Sequence, residues 1–200
     1  MALGLITYAV PMARWQPNPQ ERLVRAALEL FAEQGYESTT VVEIAERAGL
    51  TKSTFFRHVP DKREVLFIGQ DFLVRALTEG IASAPDGAAP LEAVAAALDA
   101  AAEAFPAERR EFGPQRQAVI AANPELQERE ALKRAGFAAA MAEALKARGT
   151  EDIPASLAAE IGVLALSRAY ARWADPADEL EFAELAREAL AELQAAGAAL

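Results

Sequence analysis

The chain has 200 residues and a net charge of -10, from 20 basic and 30 acidic side chains. It contains no cysteine, which excludes disulfides and thiolate metal sites and fits a reducing, cytoplasmic location. No apolar run reaches the ~18 residues of a membrane span, so no membrane partner is expected.

Residues 1–17 are predicted to form a flexible arm. The segment MALGLITYAV lacks the basic start and the cleavage pattern of a signal peptide. Translation could begin at Met1 or at Met12, and the sequence leaves both open. Arg14 could reach a minor groove, as arms of some DNA-binding folds do, although a disordered tail is the simpler interpretation.

Four helix starts are predicted within the first 65 residues. In a capping box, a short polar side chain and a glutamate three residues later each accept a hydrogen bond from the other's backbone amide. Three pairs match this pattern: Asn18 with Glu21, Thr40 with Glu43, and Asp61 with Glu64. Thr51 can cap a further short helix that ends before Pro60. This punctuation predicts an N-terminal unit over residues 18–66.

Residues 35–67 have the layout of a helix-turn-helix. Ala45 allows two helices to approach closely, Gly49 suits a left-handed turn, and Leu50 and Phe55 can face the core. Polar side chains between and after these positions then face outward. The predicted DNA-binding residues are Thr40, Thr51, Lys52, Ser53, Thr54, Phe56, Arg57, His58 and Lys62.

The charge distribution supports a DNA-binding function in spite of the acidic total. Residues 1–68 carry equal numbers of basic and acidic side chains, whereas the excess of acid lies entirely in residues 69–200. Lys52, Lys62 and Arg63 stand at helix starts, where the helix dipole favours anions. Phosphates bound there would explain such cations, and the alternative for each is a solvated surface charge.

From about residue 20 to residue 68 the chain resembles the TetR-type transcriptional regulators, which are one-component helix-turn-helix proteins. The resemblance rests on a glycine followed by an aromatic residue, a threonine pair, an Ile-Ala helix, an Ala-Gly-aliphatic-Thr turn, an aromatic recognition helix and a lysine. These positions are Gly35, Tyr36, Thr39, Thr40, Ile44, Ala45, Ala48, Gly49, Leu50, Thr51, Phe55, Phe56, His58 and Lys62.

Two positions depart from the family pattern. Phe56 stands where the family usually has a tyrosine whose hydroxyl reaches the DNA backbone, and Val42 replaces a polar residue. Phe56 could contact a thymine methyl group or could belong to the domain core. Both changes place more of the expected base recognition on Lys52, Ser53, Thr54 and Arg57.

The resemblance implies an all-α, TetR-like fold. A three-helix helix-turn-helix domain would be followed by a larger helical domain for ligand binding and dimerisation over residues 67–200. Proline and glycine breaks after residue 68 predict five or six further helices, and one helix over 61–82 is expected to connect the two domains.

The last two helices, predicted at about 155–174 and 177–196, each have an apolar face. In the TetR family the corresponding pair packs against a second subunit, so a homodimer is expected. The expected dimer residues are Leu157, Ile161, Gly162, Ala165, Phe182, Leu185 and Ala189. Two recognition helices about 34 to 36 Å apart would then read a near-palindromic, double-stranded operator.

The resemblance also implies a small-molecule effector in the C-terminal helices, which would release DNA through helix 61–82. The candidate ligand-binding residues are Phe105, Phe112, Arg116, Phe137, Met141, Arg168, Tyr170 and Trp173. The sequence does not identify the effector, and ordinary core packing is the alternative role for each residue. A repressor is expected, with an activator or a ligand-independent regulator as alternatives.

Two other classes of protein fit poorly. An enzyme is disfavoured because the single histidine, His58, lies in the recognition helix and no glycine-rich phosphate loop follows a strand. We therefore expect no catalytic residue, no metal and no cofactor. A co-regulator that has lost DNA binding would be consistent with Phe56, but Lys52, Arg57 and Lys62 argue against it.

Overall fold

A computed structural model describes residues 18–199 of the chain. The predicted arm, residues 1–17, with Met12 and Arg14, lies outside the described residues. The described part is helical, as predicted, and contains no strand. Its α-helices are α1 Pro19–Gln34, α2 Val41–Arg47, α3 Lys52–His58, α4 Gln70–Ala82, α5 Pro90–Ala101, α6 Gly113–Ala122, α7 Pro124–Ala147, α8 Asp152–Trp173 and α9 Phe182–Ala198. None of them is long and apolar enough to cross a bilayer.

Three short 3-10 helices complete the part of the chain from residue 18 to residue 199. One, Lys62–Phe67, lies between α3 and α4 and is called the junction helix below. The other two, Ala102–Ala104 and Ala107–Phe112, form the α5–α6 segment, residues 102–112. The prediction of one helix over 61–82 is wrong, because Ile68 is extended and Gly69 has a φ of 93°, which stops the helix between Phe67 and Gln70.

The last two helices differ from their predicted bounds by several residues. Helix α8 begins before Pro154 rather than after it, because a proline in the first helical turn removes no intrahelical hydrogen bond. Helix α9 begins at Phe182 because the preceding residues form a loop instead. In that loop the Asp178 carboxylate accepts a hydrogen bond from the Leu180 amide at 3.2 Å, which together with Arg172 lowers the pKa of Asp178.

Two hydrophobic cores hold the helices together. The smaller core is built from α1, α2, α3 and the junction helix, and it also contains Ile120 of α6 and Leu126 of α7. The larger core lies among α4, α5, α7, α8 and α9, with α8 in contact with α5, α7 and α9. The helix-turn-helix part, α1 to α3, therefore packs directly on the C-terminal helices. The division into two domains between residues 66 and 67 stays a prediction.

Candidate nucleic-acid interface and effector region

The turn between α2 and α3 is fixed by caps at the start of both helices. At α2 the Thr40 amide donates to the Glu43 carboxylate at 2.8 Å, and the Glu43 amide donates to the Thr40 hydroxyl at 3.2 Å. At α3 the Thr54 amide donates to Thr51 Oγ1 at 3.1 Å. These caps confirm the sequence prediction, and Gly49 takes the expected positive φ of 66°.

The other two predicted capping boxes form only in part. Asn18 accepts from the Gln20 amide, and Asp61 accepts from the Arg63 and Glu64 amides, so both act as caps. Their glutamates bind elsewhere instead. Glu21 pairs with Arg109 at 2.7 Å, and Glu64 pairs with side chains of α7.

Helix α3 presents one polar face to solvent and buries the other. Phe55 is fully buried in the smaller core, whereas Lys52, Ser53 and Arg57 are exposed. Thr54 and His58 are half-buried, and the Nε2 atom of His58 is buried without a hydrogen-bond partner among the described residues. The predicted outward side of the helix is therefore available for contact.

Phe56 lies at the surface rather than in the core. Its side chain is 47% exposed, and its ring packs edge-on against Phe55 with the centroids 5.5 Å apart. The Lys52 ammonium lies 6.0 Å from the centre of the same ring. Of the two roles left open by the sequence, the structure favours an exposed apolar contact residue.

Some basic residues on and near α3 form ion pairs with acidic side chains, and others do not. Arg47 is held by Glu33 at 2.8 Å, a bond that lowers the pKa of Glu33, and Arg63 is held by Asp61 at 2.8 Å, which likewise lowers the pKa of Asp61. Lys52 and Arg57, in contrast, have no acidic partner within residues 18–199. Their charges are therefore available to attract an anion.

Lys62 has an internal partner that the sequence did not indicate. Its ammonium donates a hydrogen bond to the Tyr36 carbonyl at 2.8 Å and lies 4.1 Å from the centre of the Tyr36 ring. The Tyr36 hydroxyl in turn donates to Glu125 of α7 at 3.4 Å, and burial together with that carboxylate raises the pKa of Tyr36. Lys62 thereby ties the loop before α2 to the junction helix.

A cluster of ion pairs fixes the junction helix to α7. The Glu64 carboxylate is 11% exposed and lies between Arg129 and Lys133, with the Lys133 ammonium at 3.0 Å. Arg63 reaches Glu125 at 3.2 Å. Sequence reasoning missed these contacts, since the only local signal is that Arg129 and Lys133 are four residues apart on one helix face.

Four aromatic side chains form a cluster between the α5–α6 segment and the last two helices. This aromatic cluster consists of Phe105, Tyr170, Trp173 and Phe182. Phe105 stacks on Phe182 with the centroids 3.9 Å apart, and it lies 5.7 Å from Trp173 and 5.8 Å from Tyr170. Three of the candidate ligand-binding residues therefore meet at one place.

Arg116 adjoins the aromatic cluster and links it to the junction helix. Its guanidinium lies 5.3 Å from the ring centres of both Tyr170 and Phe67. Its Nε donates to the Leu66 carbonyl at 3.0 Å, and another guanidinium nitrogen reaches Glu130 at 3.3 Å. These partners occupy Arg116 within the chain, so it connects elements rather than offering a free cation to a ligand.

The other four candidate ligand-binding residues lie elsewhere. Phe112 packs on the smaller core beneath Arg25, whose guanidinium is 4.8 Å from its ring centre. Phe137 and Met141 are buried in the larger core, and Arg168 is exposed, with Glu192 at 3.8 Å. The eight candidates therefore do not all meet at one place, because helical periodicity does not show which apolar side chains are neighbours, and their role in ligand binding stays a prediction.

The predicted dimer residues also need correction. Five of the seven are buried within the chain itself, at the larger core. These five are Gly162, Ala165, Phe182, Leu185 and Ala189. Other helices of the same chain cover them, so they are not free to contact a second copy. Leu157 is 61% exposed, and Ile161 is half-buried. A periodic apolar stripe shows that a face is covered, but not by which neighbour.

Comparison with known proteins gives a family for the N-terminal segment. A family model described as bacterial regulatory proteins, tetR family, matches residues 23–67, the segment that contains α3. This segment is therefore tetR-like. Among curated tetR-type relatives, the regulator TcmR of Streptomyces glaucescens is 41% identical over 75 residues, which are 38% of this chain and 33% of TcmR. The match thus spans about a third of that relative's length.

Two solved structures share the fold over most of the chain. FadR of Bacillus subtilis, solved in complex with stearoyl-CoA, has a TM-score of 0.54 and 18% identity, covering 86% of this chain and 96% of FadR. GusR of Salmonella enterica has a TM-score of 0.52 and 22% identity, covering 88% and 94% respectively. At these identities the likeness concerns the fold alone.

Proposed function

We propose that this chain is a tetR-family, sequence-specific transcriptional regulator that binds a double-stranded DNA operator through α3. The observation that carries the proposal is the face of α3, where Lys52 and Arg57 are exposed and lack acidic partners beside the fully buried Phe55. Capped ends hold this helix in place, so its outward side chains are presented in a fixed arrangement. A DNA partner implies that the protein works in the cytoplasm.

The side chains of this face suit the major groove. Arg57 and Lys52 can donate to guanine edges, the hydroxyls of Ser53 and Thr54 can pair with several bases, and Phe56 can contact a thymine methyl group. Thr40, Thr51 and Lys62 border the face and are proposed to bind phosphates, with His58 beside them. Since the rest of the protein is acidic, DNA should be attracted to this face and repelled elsewhere.

We further propose a homodimer, through an exposed row on α8 that includes Leu157 but none of the other predicted dimer residues. Ile153, Leu157 and Leu164 are 80%, 61% and 48% exposed, and their spacing places them along one side of the helix. Exposed apolar side chains in a row on a long helix favour contact with another protein surface. A second copy would supply that surface and a second reading helix, and two such helices match a near-palindromic operator.

A small-molecule effector bound at the aromatic cluster is proposed to control DNA binding, so that the protein acts as a repressor released by its ligand. Tyr170 contacts Arg116, and Arg116 holds the Leu66 carbonyl of the junction helix. A shift of Tyr170 would therefore reach the helix that supports α3. Such coupling is typically worth ~1 to 3 kcal/mol, and it must be reciprocal.

Selection of bound DNA from a random pool tests the proposed function. The full chain should enrich one near-palindromic sequence, and binding to it should weaken steeply as salt is raised. The same selection is run with the double variant Lys52→Ala, Arg57→Ala. This variant removes the two cations of α3 that lack an acidic partner among residues 18–199, and it leaves the buried face of the helix unchanged. Enrichment of no sequence, or equal enrichment by this variant, would overturn the proposal.

A further inference from the structure

The indole nitrogen of Trp173 is a buried donor without an acceptor. Trp173 is the last residue of α8 and is 2% exposed, and its Nε1 has no hydrogen-bond partner among the described residues. An indole can only donate, and a buried donor left unpaired loses the hydrogen bond it would make to water. The rings of Phe105, Tyr170 and Phe182 lie next to it, and a ring face accepts only a weak hydrogen bond.

Phe105 is the member of the aromatic cluster that is held least firmly. Tyr170, Trp173 and Phe182 belong to α8 and α9, whereas Phe105 lies in the α5–α6 segment between two short 3-10 helices. Its side chain is only partly buried, and its ring stacks on that of Phe182. The ring can therefore leave the cluster without unfolding an α-helix.

We infer that Phe105 occupies the effector site in this state, and that the effector is an apolar, ring-sized molecule bearing an oxygen acceptor. Its apolar body takes the place of the Phe105 ring against Phe182, and its carbonyl or ether oxygen accepts the hydrogen bond from Trp173 Nε1. This inference rests on the effector control proposed above. A carboxylate is not required, because Arg116 already binds Leu66 and Glu130.

The α5–α6 segment, which carries Phe105, also contacts α1. Arg109 pairs with Glu21 of α1 at 2.7 Å, and Glu111 pairs with Arg25 of α1 at 3.5 Å. Arg25 also covers the Phe112 ring. Removal of Phe105 from the cluster would displace the segment to which these contacts belong, so ligand entry has a direct route to α1.

Nuclear magnetic resonance of the ¹⁵N-labelled full chain tests the inference, with the Trp173 indole signal assigned by Trp15→Phe. The probes are acetophenone and isopropylbenzene, which have nearly the same shape but differ in the carbonyl acceptor. Phe105→Ala should bind acetophenone about tenfold more tightly than isopropylbenzene, the difference expected for one hydrogen bond. Only acetophenone should move the Trp173 indole proton downfield.

Three further measurements show whether the preference for acetophenone comes from the Trp173 indole. Adding Trp173→Phe to Phe105→Ala removes the donor but keeps an aromatic ring, so the preference for acetophenone should disappear. Phe137→Ala opens the same larger core outside the aromatic cluster, so its affinity for acetophenone at the Trp173 indole should stay at the parent's value. The parent chain should bind acetophenone more weakly than Phe105→Ala, with the same downfield shift at saturation.

Equal affinity of Phe105→Ala for the two probes would overturn the inference. An unmoved indole proton in the parent at saturating acetophenone would also overturn it, and this result does not depend on how Phe105→Ala folds. The titrations contain no DNA. A failure to select an operator would count against the proposed function, whereas these outcomes count against the ligand site.

Discussion

The ammonium of Lys62 binds Tyr36 in two ways, through the backbone carbonyl at 2.8 Å and across the ring at 4.1 Å. An ammonium has three donor hydrogens, so two remain for phosphate. Lys62→Ala should weaken binding to all DNA sequences alike and should reduce the salt slope by about one unit. Fluorescence anisotropy over a salt series measures both, with Lys146→Ala, remote from α3 on α7, as the control. An unchanged slope would leave Lys62 with the internal role alone.

Arg57 should determine base preference rather than general affinity. It is exposed on α3 and has no acidic partner in the described part of the chain, so its guanidinium can pair with a guanine edge. Arg57→Ala should relax the preference at particular base pairs of the selected operator, at a cost of about 1 to 3 kcal/mol. Arg187→Ala on α9 is the matched control. A mutant with the parent's base profile would show that α3 is oriented differently.

The capping box of α2 should make stability depend on pH. Hydrogen bonds from the Thr40 hydroxyl and amide hold the pKa of Glu43 below its usual range. The stabilisation is therefore present above about pH 4.3, the unfolded value, and is lost as pH falls through the lower folded value. Glu43→Gln should lower the melting temperature at pH 7, and its difference from the parent should shrink below pH 4. Glu46→Gln, outside the box, removes the same charge and is the control, and a difference for Glu43→Gln that stays constant with pH would refute this account.

Two helical glycines should respond oppositely to alanine. A Cβ at Gly80 would lie 2.6 Å from the Ala97 Cα and 2.9 Å from the Ala96 carbonyl, which are backbone atoms that cannot easily move. Gly80→Ala should destabilise the chain by about 1 to 3 kcal/mol through overpacking. Gly136 has open space around the same position, so Gly136→Ala should stabilise by about 0.5 to 1 kcal/mol. Urea unfolding measures both, and effects of the same sign would contradict the packing of α4 on α5.

The exposed face of α8 should control assembly. Leu157→Glu places a charge in the row formed by Ile153, Leu157 and Leu164, so it should convert a dimer to a monomer without loss of helix content. Leu132→Glu on α7 is the control, since Leu132 is similarly exposed outside this row. Sedimentation velocity reports the assembly state and circular dichroism the helix content. A Leu157→Glu variant that stays dimeric would place the interface elsewhere.

Local features were predictable from the sequence because their partners lie close along the chain. The Thr40 and Thr51 caps each join residues three positions apart, and the glycine at position 49 takes the conformation that its turn demands. Residue patterns at that range are sufficient for such contacts.

Contacts between distant segments were not predictable. Lys62 and Tyr36 are 26 residues apart, and Arg116 and Leu66 are 50 apart, so neither pairing leaves a local pattern. Phe182 shows a second limit, since its place on an apolar stripe was correct but its neighbour is Phe105 of the same chain. The prediction of one helix over 61–82 was wrong because a glycine can either end a helix or lie within one, and the sequence alone does not show that Gly69 takes a positive φ.

Selection of DNA from a random pool by the full chain tests the central claim most directly. The account predicts one enriched, near-palindromic sequence whose binding weakens steeply with salt and depends on Lys52 and Arg57. Recovery of no preferred sequence, or of one that the double alanine variant binds equally well, would contradict it.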